Sequence, residues 1–325
     1  MRLIIQIPCL NEEATLPATL ADLPRRIPGV DVVETMIIDD GSTDRTVEVA
    51  RGLGVDHVIA FKNHRGLASA FASGVEECLK RGADIIVNTD GDNQYRGADV
   101  EALVRPILEG RADAVVGDRP VDSISHFSWA NKLAHRLGGV VTRKMSNVPV
   151  QDVTSGFRAF SREAALRLNI LSEYSHTLES LIQLGNKKLK VISVPVAVNP
   201  KTRESRLMKN SLGFIYSQMS TLLRVYTAFR SLRVFSFIGL LISLLGTAGL
   251  VRFFVFLILG RGDGHVQSLV LSTTLLVMGF FVILIGMVAD LINLNRKLTD
   301  IALYKIRRLE LEKDGSRDRD EDRPR

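Results

Sequence analysis

The stretch NTDGDNQY, Asn88 to Tyr95, follows directly on the apolar run ADIIV, Ala83 to Val87. A tight turn after a buried strand accounts for one aspartate and a glycine. It does not account for Asp90, Asp92 and Gln94 together. Asp90 and Asp92 stand two residues apart, and Gly91 between them lets the backbone bend closely, so both carboxylates can face one cation. Hard divalent ions such as Mg²⁺ and Mn²⁺ prefer such oxygens and share them with substrate phosphates. No His or Cys lies nearby, which argues against zinc. The pair reads as a metal clamp for a diphosphate, with Gln94 adding an oxygen or a substrate hydrogen bond.

Working outward, residues 1–120 alternate strand and helix patterns. The strand candidates are Leu3–Ile7, Glu34–Ile38, Asp56–Ala60, Ala83–Asn88 and Ala112–Gly117. They are short and almost continuously apolar, as parallel strands buried on both faces are. Amphipathic segments separate them, at Glu12–Arg25, Thr43–Gly52, Gly66–Arg81 and Ala98–Leu108. This order predicts an α/β domain on a mostly parallel sheet, with ligands beyond the carboxyl ends of the strands. From Phe127 to Lys188 the pattern is mainly helical, and a further strand is expected at Val191–Val198.

The C-terminal part is different. In Ser211–Arg233 the residues Ile215, Met219, Leu222, Tyr226 and Phe229 share one helical face, opposite Arg224, which predicts a helix on a membrane surface. Val234–Val251 carries no charge, and the apolar run resumes after Arg252 to Leu259. Ser268–Ala289 is 22 uncharged residues, about 33 Å of helix against a hydrocarbon core of about 30 Å. The link GRGDGHVQ is short, so the two spans form a hairpin. Arg252 lies late in its span and is expected to snorkel outward. Arg224, Arg230 and Arg233 precede the hairpin, and Arg296, Lys297, Lys305, Arg307 and Arg308 follow it. The positive-inside rule then puts both ends and the α/β domain in the cytosol, in a multi-pass protein of the cell membrane. The closing EKDGSRDRDEDRPR is charge-mixed and expected to be disordered. The expected division is 1–210 catalytic domain, 211–233 surface helix, 234–290 two transmembrane helices and 291–325 basic tail.

Bulk composition agrees. The chain of 325 residues is 46% hydrophobic, with mean hydropathy +0.13, net charge +6 and pI about 9.4. The basic excess suits nucleic acid, anionic lipid or a phosphorylated substrate. Without a multi-aromatic platform, nucleic-acid binding is disfavoured, and Trp129 reads as packing or membrane-facing. Cys9 and Cys78 fit neither a disulfide framework nor a zinc site. The N-terminal MRLIIQIP is too short for a signal peptide and reads as the first strand.

Three strand ends carry polar clusters: IPCLNEE (Ile7–Glu13), IDDGSTDRT (Ile38–Thr46) and TDGDNQ (Thr89–Gln94). Asn11, Ser42 or Thr43 can be read as simple helix caps, but caps do not need acidic pairs at three neighbouring strand ends. With QDVTSGFRAFSRE, Gln151–Glu163, the set resembles the family-2 glycosyltransferases of the GT-A fold, and within them the polyprenyl-phosphate sugar transferases. The likeness covers roughly residues 1–210. IPCLNEE is similar to that family's Pro-x-Tyr-Asn-Glu opening, with Leu10 for tyrosine. DDGSTD is similar to its nucleotide motif, DGDNQ to its Asp-x-Asp metal motif, and the last stretch to its Asp…Ser-Gly-Phe-Arg element.

The resemblance implies an enzyme moving a sugar from GDP-mannose or a UDP-hexose to a polyprenyl phosphate, with inversion. Pro8, Asn11, Glu12, Asp39, Asp40, Asp90 and Gln94 would meet the donor. Asp90, Asp92 and Gln94 would hold Mg²⁺ or Mn²⁺. Asp152 would sit near the acceptor, with Asp92 and Arg158 completing the catalytic set. Arg119, Arg203, Ser205 and Arg206 would meet the acceptor phosphate, although NPKTRESRLMK departs from the usual Arg-x-x-Gly-Ser-Lys. Lys62, Arg65, Lys132, Arg136, Arg143 and Lys144 read mostly as solvated charges, and His64 equally as a turn residue or a ligand. A homo-oligomer is expected from membrane-surface helices. A processive polysaccharide synthase would need Gln-x-x-Arg-Trp, which is absent. A nucleotidyltransferase would need a glycine-rich loop near the first strand. A scaffold with a degraded transferase domain would have no reason to keep Asp90 and Asp92.

Overall fold

The first strand sets the architecture. In this computed structural model, which describes residues 1–119, 148–170, 176–200, 231–260 and 266–321, β1 (Arg2–Cys9) is buried along all but its first residue. It is flanked in parallel by β2 (Val32–Asp39) and β4 (Ile85–Asn88), and β3 (His57–Ala60) extends β2. Alternation along β1 assigns its residues to two layers. Ile4 faces α3 (Leu67–Lys80) with Met36, Ile38, Phe71 and Val75. Leu3, Ile5 and Ile7 face the opposite layer with Leu16, Leu103 and Val104, from α1 (Leu16–Asp22) and α4 (Val100–Leu108). α2 (Thr46–Gly52) adds Ala50 to that second layer.

The remaining strands are β5 (Ala114–Asp118), β6 (Arg158–Ser161) and β7 (Val191–Pro195), giving the order β3-β2-β1-β4-β6-β5-β7. β6 runs antiparallel between β4 and β5, pairing Asn88 with Arg158 and Val116 with Arg158. The sequence predicts helix through this region. A strand of four residues that opens with arginine has no period long enough to reveal it. Its effect is large, because it carries residues 152–158 across the end of β4. α5 (Arg162–Arg167) and α6 (His176–Asn186) follow β6. Helix α1 starts at Leu16 rather than Glu12, with Pro17 in its first turn, which leaves Asn11–Thr15 as a loop over the sheet edge.

The hairpin comprises α7 (Ser231–Ile258) and α8 (Val266–Glu321), both long and apolar enough to cross a membrane. The two helices approach through glycine. A Cβ on Gly239 would lie 2.7 Å from the Gly279 carbonyl, and one on Gly246 2.8 Å from the Ser272 carbonyl. Small residues at such contacts let helix backbones close up where apolar burial gives no driving force. Asn293 donates to the Ser231 hydroxyl at 3.1 Å, while Leu245 and Ile258 point outward, 65% and 83% exposed. α8 continues to Glu321, where composition predicts a disordered tail. From Leu303 on it groups with the catalytic domain. There Tyr304 donates to Glu163 at 3.2 Å and Arg307 to the Leu168 carbonyl at 2.7 Å. Most of the expected surface helix 211–233 lies outside the described residues.

Candidate active site

The loops after β1 and β2 are clasped together by their own side chains. The Asn11 amide N–H donates to Ser42 Oγ at 2.9 Å, and Asn11 Oδ1 accepts from the Thr43 amide at 2.8 Å. The Glu12 amide donates to Thr46 Oγ1 at 2.8 Å. Asn11 holds a left-handed φ of 55°, a conformation asparagine tolerates better than most residues. Asn11, expected at the donor, has its side-chain oxygen in this clasp. Pro8 lies within β1, under the turn that follows β4.

Asp40 also builds a loop. Its two carboxylate oxygens accept from the Arg65 and Gly66 amides at 2.7 and 2.9 Å, and His64 pairs with it at 2.8 Å. His64 is therefore a turn residue, and the Arg65 guanidinium lies over the Phe61 ring. Asp39 is the better candidate for donor recognition. Its Oδ2 accepts from the Ser42 amide at 3.1 Å, while Oδ1 is buried with no partner among the described residues. A buried acceptor left in this state needs a donor from elsewhere.

The turn after β4 is held from below and from the side. A Cβ on Gly91 would lie 2.9 Å from Cys9 Sγ, so only glycine permits this approach to β1. The Gly91 carbonyl accepts from the hydroxyls of Thr15 at 2.9 Å and Thr19 at 3.1 Å. Asp92 Oδ1 accepts from the Gln94 amide at 3.1 Å. The residues carried in by β6 close the other side. A Cβ on Gly156 would lie 2.9 Å from Asp90 Oδ1, and the Gly156 amide donates to the Tyr95 hydroxyl at 3.0 Å. The glycine of the Ser-Gly-Phe-Arg element is thus required by the aspartate of the turn.

Arg119, at the end of β5, ties the two sides together. Nε donates to Asp152 at 2.6 Å, Nη1 to Gln94 Oε1 at 3.1 Å and Nη2 to Thr154 Oγ1 at 3.2 Å. Burial pushes the Asp152 carboxyl up, but Arg119 and Thr154 more than offset this and hold it below the usual carboxylate range. Asp152 is therefore ionised, and a weak base. Arg119, expected at the acceptor phosphate, is a bridge inside the protein.

Arg158, expected in the catalytic set, is held inside the protein. It is 1% exposed, and its guanidinium donates to the carbonyls of Ser155, Val153 and Thr177 and to the Ser180 hydroxyl at 2.6–2.9 Å. Burial lowers its pKa to about 10. It shapes the 153–156 loop, with four of its five N–H groups bonded within the protein. Arg203, Ser205 and Arg206 lie outside the described residues, as do Lys132, Arg136, Arg143, Lys144 and Trp129.

Among the described residues, no three His, Cys, Asp or Glu side chains are grouped to hold a metal. Two carboxylates fit an ion that completes its shell with substrate phosphate and water. Burial pushes Asp90 up to about 7, and the neighbouring Asp92 adds to the shift. A pair that resists double ionisation in this way fits a divalent cation, which removes the repulsion. Gln94 Oε1 keeps one lone pair beside its bond to Arg119.

The model of the glycosyl transferase family 2 matches residues 4–168, from β1 through the end of α5. The chain is a family 2 glycosyltransferase. Among its relatives is the polyprenol monophosphomannose synthase of Mycolicibacterium smegmatis, 25% identical over 60% of this chain and 76% of that protein. The glycosyltransferase AglJ of Haloferax volcanii is 26% identical over 90% of this chain and 94% of its own length. Glucosyl-3-phosphoglycerate synthase from Mycobacterium tuberculosis, crystallised with Mn²⁺, UDP and phosphoglyceric acid, is 24% identical, covers 68% of this chain and 77% of its own, and superposes with a TM-score of 0.54. That likeness places the glycosyltransferase in the GT-A fold expected from its motifs.

The sequence singled out neither Thr15 and Thr19 nor Tyr95, Thr154 and Asn199. Tyr95 stood inside the opening stretch, and its ring stacks on Phe157 at 4.9 Å. Thr15 and Thr19 act on the Gly91 carbonyl, which leaves no residue-type signature, and Thr154 and Asn199 meet side chains from segments distant in sequence.

Proposed function

We propose that this glycosyltransferase moves a sugar from a nucleotide-sugar donor to a polyprenyl phosphate at the cytosolic face of the cell membrane, with inversion and with Mg²⁺ or Mn²⁺. The observation that carries the reading is the packing of the Asp90-Gly91-Asp92 turn against Gly156, with Asp152 and Arg119 alongside, in a chain that also carries an apolar hairpin. The donor is GDP-mannose or a UDP-hexose. Asp39 Oδ1 offers a buried acceptor for a base N–H or ribose hydroxyl. Asp90 and Asp92, with Gln94, would hold the ion, which neutralises charge on the leaving diphosphate.

The acceptor phosphate is already anionic. Its oxygen attacks the anomeric carbon as the bond to the diphosphate oxygen breaks, and the diphosphate leaves with the electron pair. A single displacement inverts the configuration. No proton need be removed from the attacking oxygen, which suits an Asp152 held ionised by Arg119. Its role is to orient and to repel a misplaced anion rather than to act as a general base. The outward-facing apolar surface of α7 and α8 suits a lipid environment for the acceptor chain.

The test is a donor panel. Protein in mild detergent with polyprenyl phosphate receives GDP-mannose, UDP-glucose, UDP-N-acetylglucosamine or UDP-galactose, with Mn²⁺ or Mg²⁺ and with or without chelator. Chelator-sensitive transfer to lipid from one donor, with inverted configuration, is the expected result. A retained configuration would overturn the single displacement. Transfer indifferent to chelator would overturn the metal.

A further inference from the structure

The turn that carries Asp92 and Gln94 has no regular secondary structure of its own. Asn93 inside it holds a left-handed φ of 56°. Something outside the turn must keep it in place. On one side that is α1, through Thr15 and Thr19. On the other it is the segment after β7. Tyr95 and Val198 form an isolated antiparallel bridge, and the Asn199 amide donates to the Gln94 carbonyl at 2.8 Å. The Asn199 side chain then reaches back over the turn. Its Nδ2 lies 3.3 Å from Asn93 Oδ1, 3.4 Å from the Tyr95 carbonyl and 3.5 Å from Asp22 Oδ2. The Tyr95 carbonyl and the Asp22 carboxylate only accept hydrogen bonds, so the chemistry fixes which end of the amide faces them.

We propose that Asn199 is a positioning residue for the metal turn: its amide group holds Asn93, Tyr95 and Asp22 together, so that Asp92 and Gln94 keep their geometry. The inference rests on the metal-dependent reading above. The side chain borders a cleft of about 560 Å³ lined by Ala18, Ala21, Asp22, Asn93, Asn199 and Pro200, so replacements are accommodated without overpacking a core. Asn199 stands four residues before Arg203 in the sequence, at the end of the segment that leads toward the expected acceptor-phosphate residues.

The experiment compares the full-length wild type with Asn199→Ser, Asn199→Ala and Asn199→Asp. Mn²⁺ binding is measured by electron paramagnetic resonance with UDP and, separately, GDP; kcat, KM and the thermal midpoint in chelator are measured alongside. Serine keeps one donor. Alanine keeps none. Aspartate sets a carboxylate against Asp22 and a carbonyl. The expected order of Mn²⁺ affinity is wild type, Ser, Ala, Asp, with alanine weaker by about 10-fold, as is usual when a supporting contact to a metal ligand is lost. The chelated midpoints should agree within about 3 °C. Equal Mn²⁺ affinity across the series would overturn the proposal, as would an affinity loss that merely tracks a falling midpoint. If wild type itself binds no Mn²⁺ with either nucleotide, the metal reading fails, and the role of Asn199 with it.

Discussion

The catalytic domain and the hairpin are stabilised by opposite means. In the domain, the decisive positions are buried polar groups with several partners each: Arg158 with four acceptors, Asp40 with two amides and His64, Arg119 with Asp152, Gln94 and Thr154. In the hairpin they are places where a side chain is missing, such as Gly239 against Gly279. Losing one member of a polar network leaves its partners unsatisfied. Crowding one glycine contact pushes apart helices that still meet elsewhere. Single substitutions should therefore be severe in the domain and graded in the hairpin.

The largest effect should come from Asp92→Asn. With half of the carboxylate pair gone, transfer should fall about a thousandfold, roughly 4 kcal/mol, while the thermal midpoint holds or rises. A variant that retains a tenth of wild-type transfer would remove Asp92 from the metal site. Next is Arg158→Met, close in shape but without donors. It leaves the carbonyls of Val153 and Ser155 without their guanidinium donors, for a loss of about 2–5 kcal/mol and a midpoint lower by about 10 °C. If that variant instead folded normally and lost only turnover, Arg158 would return to the catalytic set.

Arg119→Lys separates bridging from phosphate contact. Lysine keeps the charge but cannot bond Asp152, Gln94 and Thr154 at once. We expect kcat to drop about 10- to 100-fold with the acceptor KM little changed, consistent with lost positioning. A raised acceptor KM at constant kcat would make Arg119 the phosphate contact that its motif position suggests. Milder still is Gly239→Leu in the hairpin, at about 1–3 kcal/mol of overpacking. It should show as faster heat inactivation in detergent, with Mn²⁺–nucleotide binding by the catalytic domain unaltered.

These contrasts follow what was legible in the sequence. Parallel strands buried on both faces are near-continuous apolar runs, so β1, β2, β4 and β5 and the polar clusters at their ends could be read directly. The two long apolar helices were readable for the same reason. β6 was not, because four residues opening with a hidden arginine carry no period. Nor could motif membership separate a substrate contact from a structural one. Asn11, Asp40 and Arg158 all belong to the expected motifs, yet each bonds to its own protein. Burial and partner count distinguish them, and both arise only when distant segments meet. Asn199 shows the limit most clearly: its side-chain partners are Asn93, the Tyr95 carbonyl and Asp22, which only the fold brings to it.

Asp90 supplies the smallest effect, and it tests why the domain needs a cation at all. In chelator, its folded pKa of about 7 lies above the ordinary value near 4. Between those values the folded state binds more protons than the unfolded state, so stability falls as pH rises. Two other buried groups act elsewhere. The depressed carboxyl of Asp152 contributes stability that is lost only toward pH 4 and below. His176, lowered to about 3 by burial and by Arg158, makes stability rise with pH only up to its unfolded value near 6.5. From pH 6.5 to 8 Asp90 shares its direction only with the N-terminal amine, which Asp31 raises above its ordinary value near 8, and the Asp90→Asn variant separates the two. There the midpoint of the chelated protein should fall by a few degrees, Asp90→Asn should flatten the slope, and Mn²⁺ with nucleotide should stabilise the wild type more at pH 8 than at pH 6.5, because the cation favours the doubly ionised pair. A slope that persists in Asp90→Asn would mean that another group titrates, and that the two carboxylates of the turn are not in conflict without metal.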